Sequence, residues 1–467
     1  MLYHGFAKIA WGLSAHPLWL VLVAAAAAWR FFTQRLQGAL PKFGGKEDVT
    51  ATPRQLESFG IGKRLVMSFA RWHFQWTKEH IPGSEIAKWE AMGDAKADPV
   101  LVRMTSQIKP SEAFKEFLAE LRKNEEAHID GMPEWVDEEL LQVGCDFFLA
   151  TWPLTLLSFS WALLGGFGAE TAAAVLVESR YWALKGEAGQ RDSFQRLQET
   201  LAWLYDMCAH GAGGFRPGGA AWNSALYVRF LHARTRAFVG AKEKWDAQKT
   251  GLPINQAQLI GTLLGVSLLV LIGMEKTLGC CFRPRQREAF IHLWRVIGHL
   301  LGVDESLNPN SSLARASVTL ESTFSFAIPT SPNPASTGML SKHMCETFAR
   351  GFREQYGANI ESEHFVARAR MYMGEAYCDA IGLPSVTWKH RLGARIFSFS
   401  MKLAYLPYIW LPLQSVARFY TNSGYKSFQG TVKFVQWKHE KHGKKCRFGC
   451  METEAGDTCP MMSKKLS

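Results

Sequence analysis

Apolar residues at spacings of three and four, repeated along most of the chain, constrain the fold of this protein more than any other feature. From residue 61 onward Leu, Ala, Phe and Trp recur with this period, whereas strand-like alternation is nearly absent. Residues with this spacing share one face of an α-helix. With 467 residues, 47% of them hydrophobic, the chain can bury a core that encloses a large apolar group. The pattern predicts an all-α fold, a single large multi-helix domain.

Two stretches, residues 147–169 and 259–274, are apolar enough to resemble membrane spans. Pro153 and the pair Gly165-Gly166 interrupt the first, and the second has only 16 residues. A helix needs about 20 apolar residues to cross a bilayer, so we predict that both are buried core helices. Residues 305–340 are rich in Pro, Ser and Asn and predict a loop-rich surface excursion.

The N-terminus contains 21 uncharged residues, positions 9–29. Such a stretch is long enough for a transmembrane anchor, although Lys8 before it would also suit a cleaved signal peptide. On its C-terminal side Arg30 and Arg35 lead four basic residues that precede the first acid, Glu47. The positive-inside rule therefore favours a retained anchor helix with the main domain in the cytosol.

The chain divides into a transmembrane anchor (1–33), a linker (34–60), a catalytic domain (61–425) and a flexible, basic, Cys-containing tail (426–467). The formal net charge of +11 suits an anionic membrane surface, and no nucleic-acid-binding motif accompanies it. We therefore expect membrane lipid as a partner and no nucleic acid. Nine scattered cysteines, an odd number, predict reduced thiols. The tail pair Cys446 and Cys450 lacks the second half of a zinc site.

Residues 227–236 carry the most informative constellation. In a helix, Arg229, His232 and Arg236 fall within about 60° of one another. Imidazole is the usual axial ligand of haem iron, and arginine pairs with carboxylates such as the haem propionates. The same spacing also fits an ordinary surface or core-edge histidine.

A second element lies upstream, where Arg196 and Thr200 share a helix face at i and i+4. Between the two elements, residues 210–219 form a Gly/Pro-rich turn. Two helices joined in this way would pack as a pair and face each other across a possible cofactor slot.

Arg-x-x-x-Thr, the Gly/Pro-rich turn and Val-Arg-x-x-His-x-x-x-Arg together resemble the signature of the latex-clearing-protein and mpaB oxygenases. Further blocks agree in order. They are Gly-Asp-Ala-Lys-Ala-Asp (93–98), Ile-Asn-Gln (254–256) leading into residues 261–267, and Trp-Arg-Val-Ile-Gly-His-Leu-Leu-Gly-Val-Asp (294–304). The similarity spans roughly residues 60–420.

The resemblance implies an all-helical fold enclosing one haem b, whose iron is the metal of the site. It also implies that dioxygen cleaves a carbon–carbon double bond of an isoprenoid or prenylated substrate to give carbonyl products. His232 would be the proximal iron ligand, with Arg229 and Arg236 supporting the haem. Arg196 and Thr200 would border the distal side as catalytic residues.

At two acidic residues the match to this family is not close. Glu199 stands where latex clearing protein has a lysine that can occupy the iron. A carboxylate there could ligate weakly, act as a base or point to solvent. Glu178 lies near the family's proposed catalytic base, and a surface helix glutamate is the alternative interpretation. With the anchor, the resemblance predicts a single-pass protein of the endoplasmic reticulum with a cytosolic catalytic domain.

Two other function classes compete. One is a membrane-anchored helical scaffold of the same fold without catalysis, which the presence of Arg196, Thr200, Arg229, His232 and Arg236 together disfavours. The other is a non-haem metal hydrolase, which ranks lowest because no His-x-x-x-His or His-Glu-x-x-His pair lies near His232.

Overall fold

The computed structural model describes residues 64–67, 72–104, 110–123, 131–179, 186–327, 334–357 and 360–441. The predicted anchor and linker, and the tail cysteines 446 and 450, lie outside the described residues. Six cysteines lie inside them and are free thiols, in agreement with the expectation of reduced cysteines: Cys145, Cys208, Cys280, Cys281, Cys345 and Cys378.

The described chain is mostly helical, as the apolar spacing predicts. A small antiparallel hairpin of β1 (Arg64–Met67) and β2 (Trp72–Gln75) precedes the helices. The helices are α1 (Gly83–Glu90), α2 (Asp98–Arg103), α3 (Pro110–Arg122), α4 (Glu138–Gly166), α5 (Glu170–Glu178), α6 (Gly186–Ala209), α7 (Ala220–Gly240), α8 (Ala247–Thr250), α9 (Gln256–Val266), α10 (Leu268–Leu278), α11 (Pro284–Leu300), α12 (Leu313–Ala327), α13 (Pro334–Tyr356), α14 (Ser362–Met373), α15 (Glu375–Ala380), α16 (Trp388–Trp410) and α17 (Gln414–Lys441). Two short 3₁₀ helices, Ala212–Phe215 and Pro309–Ser311, lie in the connections.

Helix α4 is the centre of this domain and packs against α10, α11 and α17. Its N-terminus is capped by Asp137, whose Oδ1 accepts a hydrogen bond from Leu140 N at 2.9 Å. The negative charges of Glu138 and Glu139 in the first turn interact favourably with the positive end of the helix dipole. Most of the helix that follows is buried among aromatic and aliphatic side chains. Burial on all sides, rather than a lipid environment, accounts for its unusual apolarity.

The same explanation covers both stretches that are apolar enough to cross a membrane, Glu138–Gly166 and Gln256–Leu278. In each, 67% of the most apolar window is buried inside the protein. The second stretch is also divided at Ser267, whose φ/ψ of −104°/−86° separates α9 from α10. The prediction of two core helices agrees with this packing.

Pro153 lies inside α4, so the prediction that it interrupts this segment is wrong. Proline has no N–H, and the carbonyl of Leu149 therefore lacks its usual donor four residues later. Helix α17 places Gly424 directly against this carbonyl, where a Cβ atom would overlap the oxygen. The close packing of α17 and the apolar contacts on either side of Pro153 stabilise a helix that proline alone would break.

Replacement of Gly424 by alanine is expected to lower the free energy of unfolding by about 1–3 kcal/mol, because the added methyl group meets backbone that cannot rotate away. Urea denaturation followed by circular dichroism measures the change. The control is Gly430→Ala on the same helix, where a Cβ has nothing within 4 Å and is expected to be neutral or slightly stabilising. Equal stability of the two variants would contradict the close approach.

Helix α17 also corrects the predicted end of the domain. The boundary between residues 425 and 426 falls within this helix. Phe428 and Val432 are fully buried, and the Phe428 ring stacks on Trp152 of α4 at a centroid distance of 3.9 Å. The prediction of a flexible tail is therefore wrong for residues 426–441, which are helical. The apolar side chains up to Val435 pack into the core, while Lys426 and Lys433 between them are exposed.

The interval 305–340 is likewise more helical than predicted. It contains a 3₁₀ helix, all of α12 and the start of α13. Pro309 and Pro334 each stand at the first position of a helix, where the missing N–H removes no hydrogen bond. Asn308 accepts a hydrogen bond from Asn310 N at 3.2 Å and so begins the 3₁₀ turn. These residues start helices here instead of ending them.

The junction of α10 and α11 buries a carboxyl group. Glu275 is fully buried, accepts a hydrogen bond from Phe282 N at 2.9 Å and lies 3.0 Å from Arg287 Nε. Burial raises the pKa of Glu275 to about 7, although Arg287 opposes the shift.

A raised pKa in the folded state gives stability that is present below the ordinary value of 4.5 and is lost as the pH rises through about 7. Between about pH 5 and about pH 8 the protein is therefore expected to lose about 2 kcal/mol of unfolding free energy relative to Glu275→Gln. Urea titrations of both proteins at the two pH values test this. Parallel pH dependence would show that Glu275 is ionised throughout.

Candidate functional site

Helices α6 and α7 form the helix pair that the sequence predicts, joined by a turn attached to the central helix. The 3₁₀ helix Ala212–Phe215 fills the turn. Gly211 has a positive φ of 59°, and Ala212 N donates to Gln142 Oε1 of α4 at 3.0 Å. A side chain at position 211 would overlap Gln142, so glycine is required at this contact.

One buried hydrogen bond fixes the register of the pair. Ser224 Oγ of α7 donates to Asp206 Oδ2 of α6 at 2.5 Å. His232 lies eight residues beyond Ser224, and the point eight residues before Asp206 on α6 falls between Arg196 and Thr200. Both helices rise about 1.5 Å per residue, so this count sets His232 at about the same height along the pair as Arg196 and Thr200. Residue counting from this contact therefore places the three predicted site residues at a similar height along the helix pair.

The imidazole of His232 is neutral, and one of its ring nitrogens makes no hydrogen bond within the described residues. Its Nδ1 is buried and has no hydrogen-bond partner among the described residues, although the residue as a whole is partly exposed. Burial, assisted by the nearby Arg236 guanidinium, lowers the pKa of His232 to about 4. A neutral ring with an unpartnered nitrogen is the state that metal ligation requires.

Arg229 is held by a partner that the sequence analysis did not identify. Its Nε and Nη2 donate to both carboxylate oxygens of Asp94, at 2.6 and 2.8 Å, and both residues are buried. Burial would raise the pKa of Asp94, but Arg229 and the N–H of Ala97 outweigh it and hold this pKa below its ordinary value. The pair is therefore a buried, bidentate salt bridge between α7 and the segment before α2.

Arg236 is less completely paired. Its Nε lies 3.3 Å from Asp98 Oδ2, a distance that makes an ion pair. Nevertheless Nε and Nη1 are buried without a hydrogen-bond partner in the described part of the chain. A buried guanidinium with unused N–H groups, one turn after His232, is suited to an additional anionic ligand.

Three of the sequence blocks that carry the family resemblance are joined by one side chain, Gln256 of α9. Its Nε2 donates to Gly93 O at 2.9 Å and to Gly302 O at 3.0 Å, and its Oε1 accepts from Asp304 N at 3.1 Å. Gly302 has a φ of 87°, and a Cβ there would overlap the Asp94 carboxylate. The blocks near residues 93–98, 254–256 and 294–304 thus converge and fix the position of the histidine-bearing helix.

Glu199 faces the protein rather than solvent. The residue is 8% exposed, and its Oε2 lies 3.0 Å from Arg196 Nη1 on the same helix. The Thr200 hydroxyl donates to Arg196 O at 3.0 Å. Of the three roles left open for Glu199, pointing to solvent is excluded.

Glu178 lies apart from these groups, at the C-terminus of α5. Its Oε2 is 2.8 Å from Lys244 Nζ and 3.4 Å from Lys242 Nζ. The hydrogen bond from Lys244 is the main reason that the pKa of Glu178 lies below its ordinary value. Its partners Lys242 and Lys244 come after Gly240, the last residue of α7, which itself lies roughly 12 Å beyond His232 along the helix axis. These contacts are those of an ion-pair cluster, and a catalytic role for Glu178 stays a prediction.

A second group of possible metal ligands comes from residues far apart in sequence. Glu361, His364 and His390 place ligand atoms within 4.8 Å of one another. His390 Nε2 lies 3.0 Å from Glu361 Oε2, and its Nδ1 lies 3.1 Å from Thr387 Oγ1. Sequence spacing gave no signal for this group. Hydrogen bonds account for the ligand atoms of Glu361 and His390 without an ion, and the His364 ring contacts the His390 ring edge-on at a centroid distance of 5.0 Å.

Comparison with known proteins agrees with this architecture. Residues 148–404 match the family described as ER-bound oxygenase mpaB/B′/Rubber oxygenase, catalytic domain. The Rubber oxygenase of Streptomyces sp. (strain K30) is 27% identical over 238 residues, 47% of this chain and 55% of that protein. The match therefore spans about half of the length of that relative. The solved structure of latex clearing protein LCP in the closed state has a TM-score of 0.50 and 21% identity, over 73% of this chain and 90% of that one. At this identity, the likeness concerns the fold alone.

Proposed function

The chain belongs to the ER-bound oxygenase mpaB/B′ and rubber oxygenase family, and on this premise we propose that it is a haem-b-dependent oxygenase. Its reaction is the cleavage of a carbon–carbon double bond in an isoprenoid or prenylated substrate. Both atoms of dioxygen enter the products, so that one alkene and one O₂ give two carbonyl groups. The atoms balance without a further reductant.

The observation that carries this proposal is the state of His232. Its imidazole is neutral and has a buried, unpartnered nitrogen. Arg236, one turn later, offers buried N–H groups to an anion. A ligand that combines a metal with carboxylates at its edge satisfies both residues, and haem is such a ligand.

His232, Arg236 and Arg229 have different roles in the proposed haem site. When bound, haem supplies an iron centre able to activate dioxygen. His232 would hold the iron, and Arg236 would pair with a haem carboxylate. Arg229 has a different part, since Asp94 already occupies its guanidinium on two sides, and it positions α7 instead. Arg196 and Thr200, at a similar height on α6, would border the space for substrate and dioxygen.

We also propose the location of the protein. The uncharged N-terminal stretch, followed by basic residues, supports a single-pass protein of the endoplasmic reticulum with a cytosolic domain. An anchored intracellular enzyme is poorly placed to meet long rubber-like polymers. A prenylated small molecule or a membrane isoprenoid is therefore the preferred substrate class.

Two measurements on the purified full chain test the proposal. The absorption spectrum and a pyridine haemochrome assay are expected to show b-type haem near one per chain. Incubation with a farnesylated phenol and ¹⁸O₂ is then expected to give carbonyl fragments, each carrying one labelled oxygen. Colourless protein after expression with ample haem would contradict the proposal and favour the non-catalytic scaffold of the same fold.

Glu199→Gln is expected to leave the haem content unchanged. The carboxylate is engaged with Arg196 on its own helix, and glutamine keeps its size and hydrogen-bonding capacity. Haem per chain, from the Soret band and the haemochrome, measures the outcome against the unmodified protein. Loss of the cofactor in this variant would mean that Glu199 takes part in binding it.

A further inference from the structure

Helix α16 exposes a continuous apolar stripe on the surface of the protein. Trp388 is 69% exposed and Phe399 is 61% exposed, and the stripe is completed by Leu392, Ile396 and Leu403. These positions fall within about 80° of one another around the helix axis. Isolated exposed apolar residues are ordinary, but five large ones along one face indicate a surface made for contact.

The opposite face of α16 is committed to the core. Ala394, Met401 and Tyr405 are buried, and the helix packs against α10, α14 and α17. The stripe is therefore the outer face of a helix that is anchored from behind. It belongs to elements other than α6 and α7.

Basic residues border the stripe on both sides. Arg391, Arg395 and Lys402 follow one edge and Lys389 lies on the other. Arg391 is shared with Glu375, which accepts a hydrogen bond from its Nη1 at 2.7 Å. Helix α16 itself contains no Asp or Glu in its 23 residues. An apolar face flanked by cations fits an anionic lipid surface, with the aromatic and aliphatic side chains in the acyl boundary and the basic groups at the phosphates.

We propose that α16 lies flat in the headgroup layer of an anionic bilayer, with the stripe from Trp388 to Leu403 inserted. This attachment is additional to the N-terminal anchor, and it sets the orientation of the domain on the membrane. A second copy of the chain fits this face poorly, because it would bring the same cations together. Each Lys or Arg near an anionic leaflet adds to the attraction, so binding depends on lipid charge.

The test uses the full chain with a photo-reactive benzoylphenylalanine in place of Phe399. The matched control has it in place of Phe238, which is 57% exposed on α7. With vesicles of phosphatidylcholine and phosphatidylserine, irradiation is expected to give lipid adducts at 399 and few at 238, as read by mass spectrometry. Cross-links from position 399 to residues 9–29 or to a second copy of the chain would overturn the proposal, since another occupant would then cover the stripe.

Substitutions that remove positive charge test the preference for anionic lipid. Arg395→Gln with Lys402→Gln is expected to reduce the yield of lipid adducts at 399 several-fold on vesicles containing phosphatidylserine. The control pair, Lys123→Gln with Lys342→Gln, removes two exposed cations elsewhere and should leave the yield unchanged. An equal effect of both pairs, or none from the first, would exclude α16 as an anionic-lipid surface. Neither readout requires haem.

Discussion

His232→Ala is expected to abolish haem retention while leaving most of the helix content in place. The side chain supplies the ligand nitrogen, and its Nδ1 makes no hydrogen bond in the described part of the chain, so its removal breaks few other contacts. Haem per chain from the pyridine haemochrome should fall to near zero, and far-UV circular dichroism should change little. The control is His210→Ala, at an exposed position in the turn before α7, which should keep its haem.

A companion variant separates ligation from folding. In His232→Gly, added imidazole can enter the space left by the ring and should restore part of the Soret absorbance. A His232→Ala protein with full haem absorbance would show that another residue is the axial ligand. Loss of haem together with loss of helix content would instead mean that His232 is needed for the fold.

The second large effect is expected at Asp94. Asp94→Asn removes the charge partner of Arg229, whose side chain is only 5% exposed, and leaves a buried cation unpaired. Breaking a buried pair in this way costs about 3–5 kcal/mol of unfolding free energy. Urea denaturation of the haem-free protein measures the loss, and haem content should fall as well, since α7 is no longer fixed.

The matched control for Asp94 is Glu139→Gln. Glu139 also pairs with an arginine, Arg285, but its side chain is 79% exposed. Solvent screens such a pair, and the change is expected to stay within about 0.5 kcal/mol. If Asp94→Asn were equally mild, the bidentate pair would contribute little, and the position of α7 would have to depend on other contacts such as those of Gln256.

Local patterns in the sequence predict the helix pair well. The spacing of Arg229, His232 and Arg236, and of Arg196 and Thr200, gives the face of each helix, and the Gly/Pro-rich turn gives their connection. Helical periodicity depends on neighbours three and four residues away, so this information is present in any short segment.

Long-range pairings explain what sequence inspection missed. Asp94 lies 135 residues before its partner Arg229, and no spacing rule connects them. The interruption expected at Pro153 is absent because α17, far along the chain, covers the gap with Gly424. The boundary set at residue 425 is an error that periodicity could have prevented, since the buried residues Phe428, Val432 and Val435 follow the helical spacing.

The stack of Trp152 on Phe428 has a practical consequence for how the protein is divided. The family match covers residues 148–404, which would make natural ends for a shortened fragment. Such a fragment would lack Phe428 on one side and, on the other, Asp94. In such a fragment the Trp152 indole would be exposed to water, and the buried Arg229 guanidinium would lose its carboxylate partner. A fragment that keeps these contacts reaches from before Asp94 to beyond Val435, so it is longer than the region matched by the family, residues 148–404.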